Sequence, residues 1–198
     1  MTKSQVSTRM MLAQAAYVLT YPALKLLNPK IPAKMLSAQF HIAVQGYLNG
    51  YSRENVDLLL QQARLESGAG FQNKATVENN NPFGMGWVQK RPTTQINYRL
   101  AKDGSQGKNT IGIYTSIASG VADRFLWDSF HSINPKDIQY VDKVLFYDYN
   151  SSSQYSFSWM NAEKSGLTVR KIHIAMIAML VAGFIATQYL LKIKFFKK

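Results

Sequence analysis

Cysteine is absent from the 198 residues, which excludes disulfide staples and any thiolate-held metal. Histidine is scarce: His41, His131 and His173 are scattered along the chain and do not make a metal site. No His-Glu-x-x-His helix, Walker loop, Gly-x-Ser-x-Gly elbow or three-glycine dinucleotide fingerprint occurs, so no cofactor is expected. Internal repeats are also missing. Acidic residues are few, 11 against 23 Lys and Arg, for a net charge of +12. That excess suggests a polyanionic partner, but its distribution argues against nucleic acid. Seven of the cations lie at or after Lys164, leaving 16 against all 11 acids in the chain before it. The remaining excess suits an anionic wall polymer.

The most informative stretch runs from Asp57 to Trp87. Ser52 reads as a helix N-cap and Gly68 as the stop. Between them Val56, Leu59, Leu60 and Ala63 recur at helical spacing and define a buried stripe, with Asp57, Gln61, Gln62 and Arg64 on the wet side. Glu66 falls three residues after Ala63, on or beside the packed face. Partial burial and the negative end of the helix dipole both disfavour its charged form, so a raised pKa is expected. A carboxylic acid that keeps its proton near neutral pH is what protonates a leaving glycosidic oxygen. A polar, asparagine-rich loop then leads into Asn80, Asn81, Pro82, Phe83, Gly84 and Met85. Phe83, Met85 and Trp87 offer an apolar floor for a sugar, with Trp87 the best placed by chemistry to stack on a glycan and Phe83 and Met85 equally readable as core.

These motifs resemble the lysozyme-like N-acetylglucosaminidase family of peptidoglycan hydrolases, found in autolysins, flagellum-associated wall hydrolases and phages. Ala63, Glu66, Ser67 and Gly68 match its first motif, and Asn80, Asn81, Phe83, Gly84 and Met85 match its second. Tyr114, Ser116, Ser119, Val121, Asp123, Phe125 and Leu126 match a third. The resemblance covers about residues 33 to 159. It implies a lysozyme-like domain with Glu66 as catalytic acid, Asn80, Asn81, Phe83 and Met85 around the substrate, and Tyr114 as the cleft tyrosine; Trp87 joins the substrate residues on its chemistry alone. It also implies a second carboxylate on a β-hairpin, where the family commonly has a glutamate. No Glu occurs there; Asp103 is the sole acid between Glu78 and Asp123 and is the candidate. Asp before Gly is also ordinary turn chemistry, so a Glu66-only, substrate-assisted reaction stays open. So do lytic transglycosylation and a fold that binds glycan without cutting it.

Around these motifs the sequence predicts an N-terminal helix whose apolar run, Met10 to Tyr21, is stopped by Pro22; the run is too short to span a bilayer, so the helix is expected to pack or lie on a surface, with an uncleaved signal-anchor as the alternative. A turn-rich linker follows near residues 28 to 32. Further predicted helices span 33–48, 116–131 and 135–149, with Phe130 in the packed stripe of one and Ile138 in that of the next. Strands are expected over 93–100 and 110–115, the first alternating through Thr94, Ile96, Tyr98 and Leu100. A short helix is expected from Gln154 to Met160.

Ile172 to Leu191 is a run of 20 residues without a fixed charge, long enough to cross about 30 Å of hydrocarbon. Arg170 and Lys171 flank it on one side and Lys192, Lys194, Lys197 and Lys198 on the other, so the basic tail is expected inside and the domain opposite. The expected fold class is α+β, mainly α: an N-terminal helix and linker over 1–32, a lysozyme-like domain with a small hairpin lobe over 33–163, and a transmembrane helix over 164–198. The expected partners are peptidoglycan strands, the bilayer, and other membrane or capsid proteins of a virion. A phage particle containing an inner membrane is the expected setting, with the bacterial cytoplasmic membrane as the alternative.

Overall fold

The computed structural model describes residues 2–68, 73, 77–100 and 110–147. Over these the protein is mainly helical with one small sheet: α1 (Lys3–Leu27), α2 (Ala33–Leu48), α3 (Arg53–Ser67), β1 (Asn97–Leu100), β2 (Thr110–Ile113), α4 (Ile117–Phe130) and α5 (Tyr140–Phe146). Asp103, the predicted helix from Gln154 and the Ile172–Leu191 segment lie outside the described residues.

The core is built around α2 and α4, which bury residues on every side. Helices that are wet on no face belong at the centre of a bundle. α1 and α3 pack against α2, and α1 also reaches α4. Leu36, Phe40, Val56, Leu59, Val121, Phe125 and Val144 meet there without solvent exposure.

α1 departs from its expectation. It begins in a capping box, with the Thr2 hydroxyl accepting from Gln5 N–H and the Gln5 side chain accepting from Thr2 N–H. It then continues through Pro22 to Leu27. Pro22 lies on the exposed side, where water can satisfy the carbonyl one turn earlier that proline leaves without a donor. The resulting helix of 25 residues is long and apolar enough to cross a membrane by length and composition. Val6, Ala13, Thr20 and Leu24 are buried along one side, so α1 packs against the body of the protein.

α2 occupies the predicted span. α3 starts at its Ser52 cap, whose hydroxyl accepts from Asn55 N–H, and ends at Gly68 with φ 79°. Gln61 and Gln62, expected on the wet side, are buried. For Gln62 the reason is a buried cation on the neighbouring helix: Arg124 Nε donates to Gln62 Oε1 at 3.3 Å. Arg124 also pairs with Asp128, which accepts from the hydroxyls of Tyr51 and Tyr140 at 2.5 Å each. This cluster ties α3, α4 and α5 together.

The strands are shorter than predicted and pair antiparallel, Asn97 opposite Ile113 and Leu100 opposite Thr110. β1 does not begin at Thr93, because Thr93 and Thr94 are drawn to Asp123 instead of to a neighbouring strand. β2 stops at Ile113, because Tyr114 N–H donates to Asn79 O at 3.0 Å. Ile96, Tyr98 and Leu100 remain exposed, so their alternation marks no buried face. The helix predicted from Pro135 starts at Tyr140. Asn134 Oδ1 and Asp137 Oδ1 accept from the N–H groups two residues on and hold 134–139 in turns, a local competitor to helix. Ile138, expected in the stripe, is 98% exposed.

Candidate active site

The last turn of α3 and the loop from Asn80 to Met85 meet at one point. Glu66 is half-buried at the end of α3, and a Cβ placed on Gly84 would stand 2.8 Å from its Oε2 and 3.4 Å from its Cδ. Gly84 has φ +63°. Only glycine both adopts that backbone readily and leaves room for the carboxyl. The helix end is fixed from two sides. The Ser67 hydroxyl bonds back to Ala63 O, while Asn73 donates from its side chain to Glu66 O at 3.1 Å and from its N–H to Ser67 O at 2.9 Å. These contacts occupy carbonyls that an α-helix leaves open at its C-terminus.

The loop opposite Glu66 is rigid without being regular. Asn80 sits in the left-handed region with φ 54°, and its amide donates to Tyr114 O at 3.1 Å. Asn81 is wholly buried; its Nδ2 donates to Met85 O and Gly112 O, and its Oδ1 accepts from Met85 N–H. One asparagine thus closes the turn and ties it to β2. On the far side α4 presses in at Gly120, where a Cβ would lie 2.1 Å from Asn80 O and 3.1 Å from Pro82 Cδ.

Of the residues assigned to substrate from sequence, Asn81, Phe83, Met85 and Tyr114 are buried. Their side chains hold the loop in shape and offer no open surface. Phe83 lies 5.9 Å below the Arg124 guanidinium. Tyr114 is not a free cleft hydroxyl: it donates to Asp123 Oδ2 at 2.8 Å and accepts from Gln95 Nε2 at 3.0 Å. Burial, followed by the negative charge of Asp123, drives its pKa well above the ordinary value. It is therefore a neutral donor. Asn80 remains partly exposed. Trp87 is half-buried, with its ring 5.3 Å from that of Tyr98 on β1.

Asp123, noticed in sequence only as part of a motif, is the hub of the strand lobe. Buried completely, it accepts two bonds from Arg91, at 3.0 and 2.8 Å, and others from Thr93, Thr94 and Tyr114. A buried carboxylate is tolerable when its lone pairs are filled and its charge is opposed, and Arg91 supplies the charge. The Arg91-Pro92-Thr93-Thr94 run was the available signal, a cation and two hydroxyls beside a proline.

A cleft of about 440 Å³ opens beside the lobe, lined by Trp87, Lys90, Arg91, Trp127, Phe130 and His131 among others. Phe130, expected in the packed stripe, is 52% exposed at its edge. Phe130 is the last residue of α4, three positions beyond the core residue Trp127, where the helix leaves the packed interior. Partial burial, with the positive charge of Arg91 next in importance, lowers the His131 pKa. Among the described residues no three His, Cys, Asp or Glu side chains gather as a metal site.

No protein-family model, curated protein or solved structure matches this chain.

Proposed function

We propose that the protein is a membrane-anchored peptidoglycan hydrolase that cuts β-1,4 glycosidic bonds of the wall glycan, with Glu66 as general acid. The observation that carries this reading is the approach of the Glu66 carboxyl to Gly84, which joins two sequence motifs lying 18 positions apart at a single point. In its protonated form Glu66 gives its proton to the leaving glycosidic oxygen as the C1–O bond breaks. The sugar then carries oxocarbenium character until water adds. Asp103, or a water positioned by the substrate, completes the step. Trp87, near the hairpin, is the aromatic residue for stacking on a sugar face. If the specificity of the family it resembles carries over, the bond cut is on the reducing side of N-acetylglucosamine.

The fold proposed is lysozyme-like, with Ile172–Leu191 crossing the bilayer and a virion inner membrane as the setting. Lytic transglycosylation is the second reading, favoured by one observation: the 101–109 segment of sequence contains no glutamate. That reaction needs a single acid and releases an anhydro product, lighter by one water.

Zymography of the full chain tests the proposal. α1 belongs to the packed body, so a chain starting after residue 27 is not a fair substitute. Wild-type protein is expected to clear peptidoglycan, and Glu66→Gln to lose about 10²- to 10⁴-fold in rate, the usual contribution of a positioned proton donor. Mass spectrometry of the released fragments separates hydrolysis from transglycosylation. Equal clearing by wild type and Glu66→Gln, or none by either, defeats the enzyme reading.

A further inference from the structure

α1 carries two apolar stripes on opposite sides. At 100° per residue, Val6, Ala13, Thr20 and Leu24 cluster on one face, and these four are buried against the bundle. Met11, Leu12, Val18, Leu19 and Leu26 cluster on the other, and they are 60, 58, 62, 64 and 81% exposed. From Met11 to Leu26 the outer stripe is about 22 Å long at the α-helical rise. Single exposed leucines need no explanation, but a continuous apolar band does.

Charge identifies what covers it. The first acidic residue of the chain is Glu54; before it stand Lys3, Arg9, Lys25, Lys30, Lys34 and Arg53. Lys3, about two turns before Met11, and Lys30, four residues after Leu26, lie exposed on either side of the band. An apolar stripe bracketed by cations and wholly free of acids matches a surface with an oily interior and anionic headgroups. A second copy of the same face would bring cations against cations. Crossing the bilayer is also disfavoured, because the opposite stripe is committed to α2 and α4. The two ends are tied down as well: Arg9 donates to the Asn49 side chain at 2.7 Å, and Lys25 Nζ donates to Pro29 O and Ile31 O at 2.9 and 2.7 Å.

We propose that the outer face of α1 lies flat on a bilayer rich in anionic lipid, with the helix axis in the plane of the interface and the body held against the membrane. This contact is independent of the hydrolase reading and of the Ile172–Leu191 span, and it would hold the body in one orientation where a single tether would let it swing.

The natural absence of cysteine makes the test clean. In the full chain, Leu19→Cys and, as a reference, Ile138→Cys each carry one environment-sensitive fluorophore. The labelled proteins are placed in nanodiscs of phosphatidylglycerol or of phosphatidylcholine. The Leu19 label is expected to shift to the blue, to become protected from acrylamide and to be quenched by shallow lipid-borne quenchers, in phosphatidylglycerol alone. The Ile138 label should stay accessible in both. Lys3→Gln with Lys30→Gln should move the population off the lipid by tenfold or more, since each cation near an anionic surface is worth about fivefold. Three results overturn the proposal: a Leu19 label as accessible in phosphatidylglycerol as in detergent, quenching by deep probes in both lipids, or protection that grows with protein concentration in the absence of lipid.

Discussion

Replacing Gly84 by alanine separates the backbone demands of the loop from its role beside Glu66. Two costs are expected. The first is conformational: at φ +63° an L side chain sits in the left-handed region, at roughly 1–2 kcal/mol. The second is steric, because the new Cβ would lie 2.8 Å from Glu66 Oε2 and 3.4 Å from Cδ. The obstacle is the end of a flexible side chain, so the carboxyl swings away and the fold survives. A displacement of about 1 Å at a reacting group costs on the order of 10²-fold in rate. Gly50 supplies the control, since its φ is +84° and nothing lies within 4 Å of where its Cβ would stand. Gly50→Ala should therefore show the conformational cost alone. The two variants are compared for urea midpoint in detergent and for initial rate of peptidoglycan clearing. Comparable losses of stability are expected, with a loss of clearing of about 10²-fold or more confined to Gly84→Ala. If Gly84→Ala clears the wall as fast as Gly50→Ala, the Glu66 carboxyl has no catalytic need of its position.

Two further predictions concern stability. Burial lowers the His41 pKa from 6.5 to about 4. The unfolded chain therefore takes up the proton first, and stability present above pH 6.5 drains away as the pH falls towards 4, by about 3 kcal/mol in all. Urea midpoints measured from pH 7 to pH 4 should show this fall, and His41→Leu should flatten it; an unchanged slope in the variant would assign the effect elsewhere. Asp123→Asn leaves the buried Arg91 charge unopposed and is expected to cost about 3–5 kcal/mol. Arg91→Met with Asp123→Asn should cost less than the two single changes added, and strict additivity would show that the pair is not coupled.

The helices were legible where caps and stripes agreed. Ser52, Gly68 and the Val56, Leu59, Leu60, Ala63 spacing gave α3 within a residue at each end, and α2 and α4 were read equally well. Errors arose where side chains compete for backbone groups over distance. Asp123 captures Thr93 and Thr94, which shortens β1, and the Asx turns at Asn134 and Asp137 delay α5. Periodicity carries no record of such contacts. Gln61 and Gln62 look polar and therefore wet, and only the buried Arg124 on another helix makes at least the second of them an interior residue. α1 misleads for a different reason. Its two opposite apolar stripes cancel as an amphipathic signal, so proline looked like the dominant feature.

At the candidate site most of the motif residues serve to build the loop and hold it against its neighbours. Asn81 locks the loop to β2, Gly120 lets α4 pack directly on Asn80 and Pro82, and Tyr114 anchors the adjoining strand end to Asp123. Each contact fixes the loop from a different element, so its position is set several times over. Ser67 and Asn73 do the same for the end of α3. Both walls are therefore rigid, and the gap between them at Gly84 is a fixed dimension. Glu66 reaches into that gap from the end of α3. A site built this way holds its acid by shape, and a single methyl group in the gap is enough to test whether that shape matters.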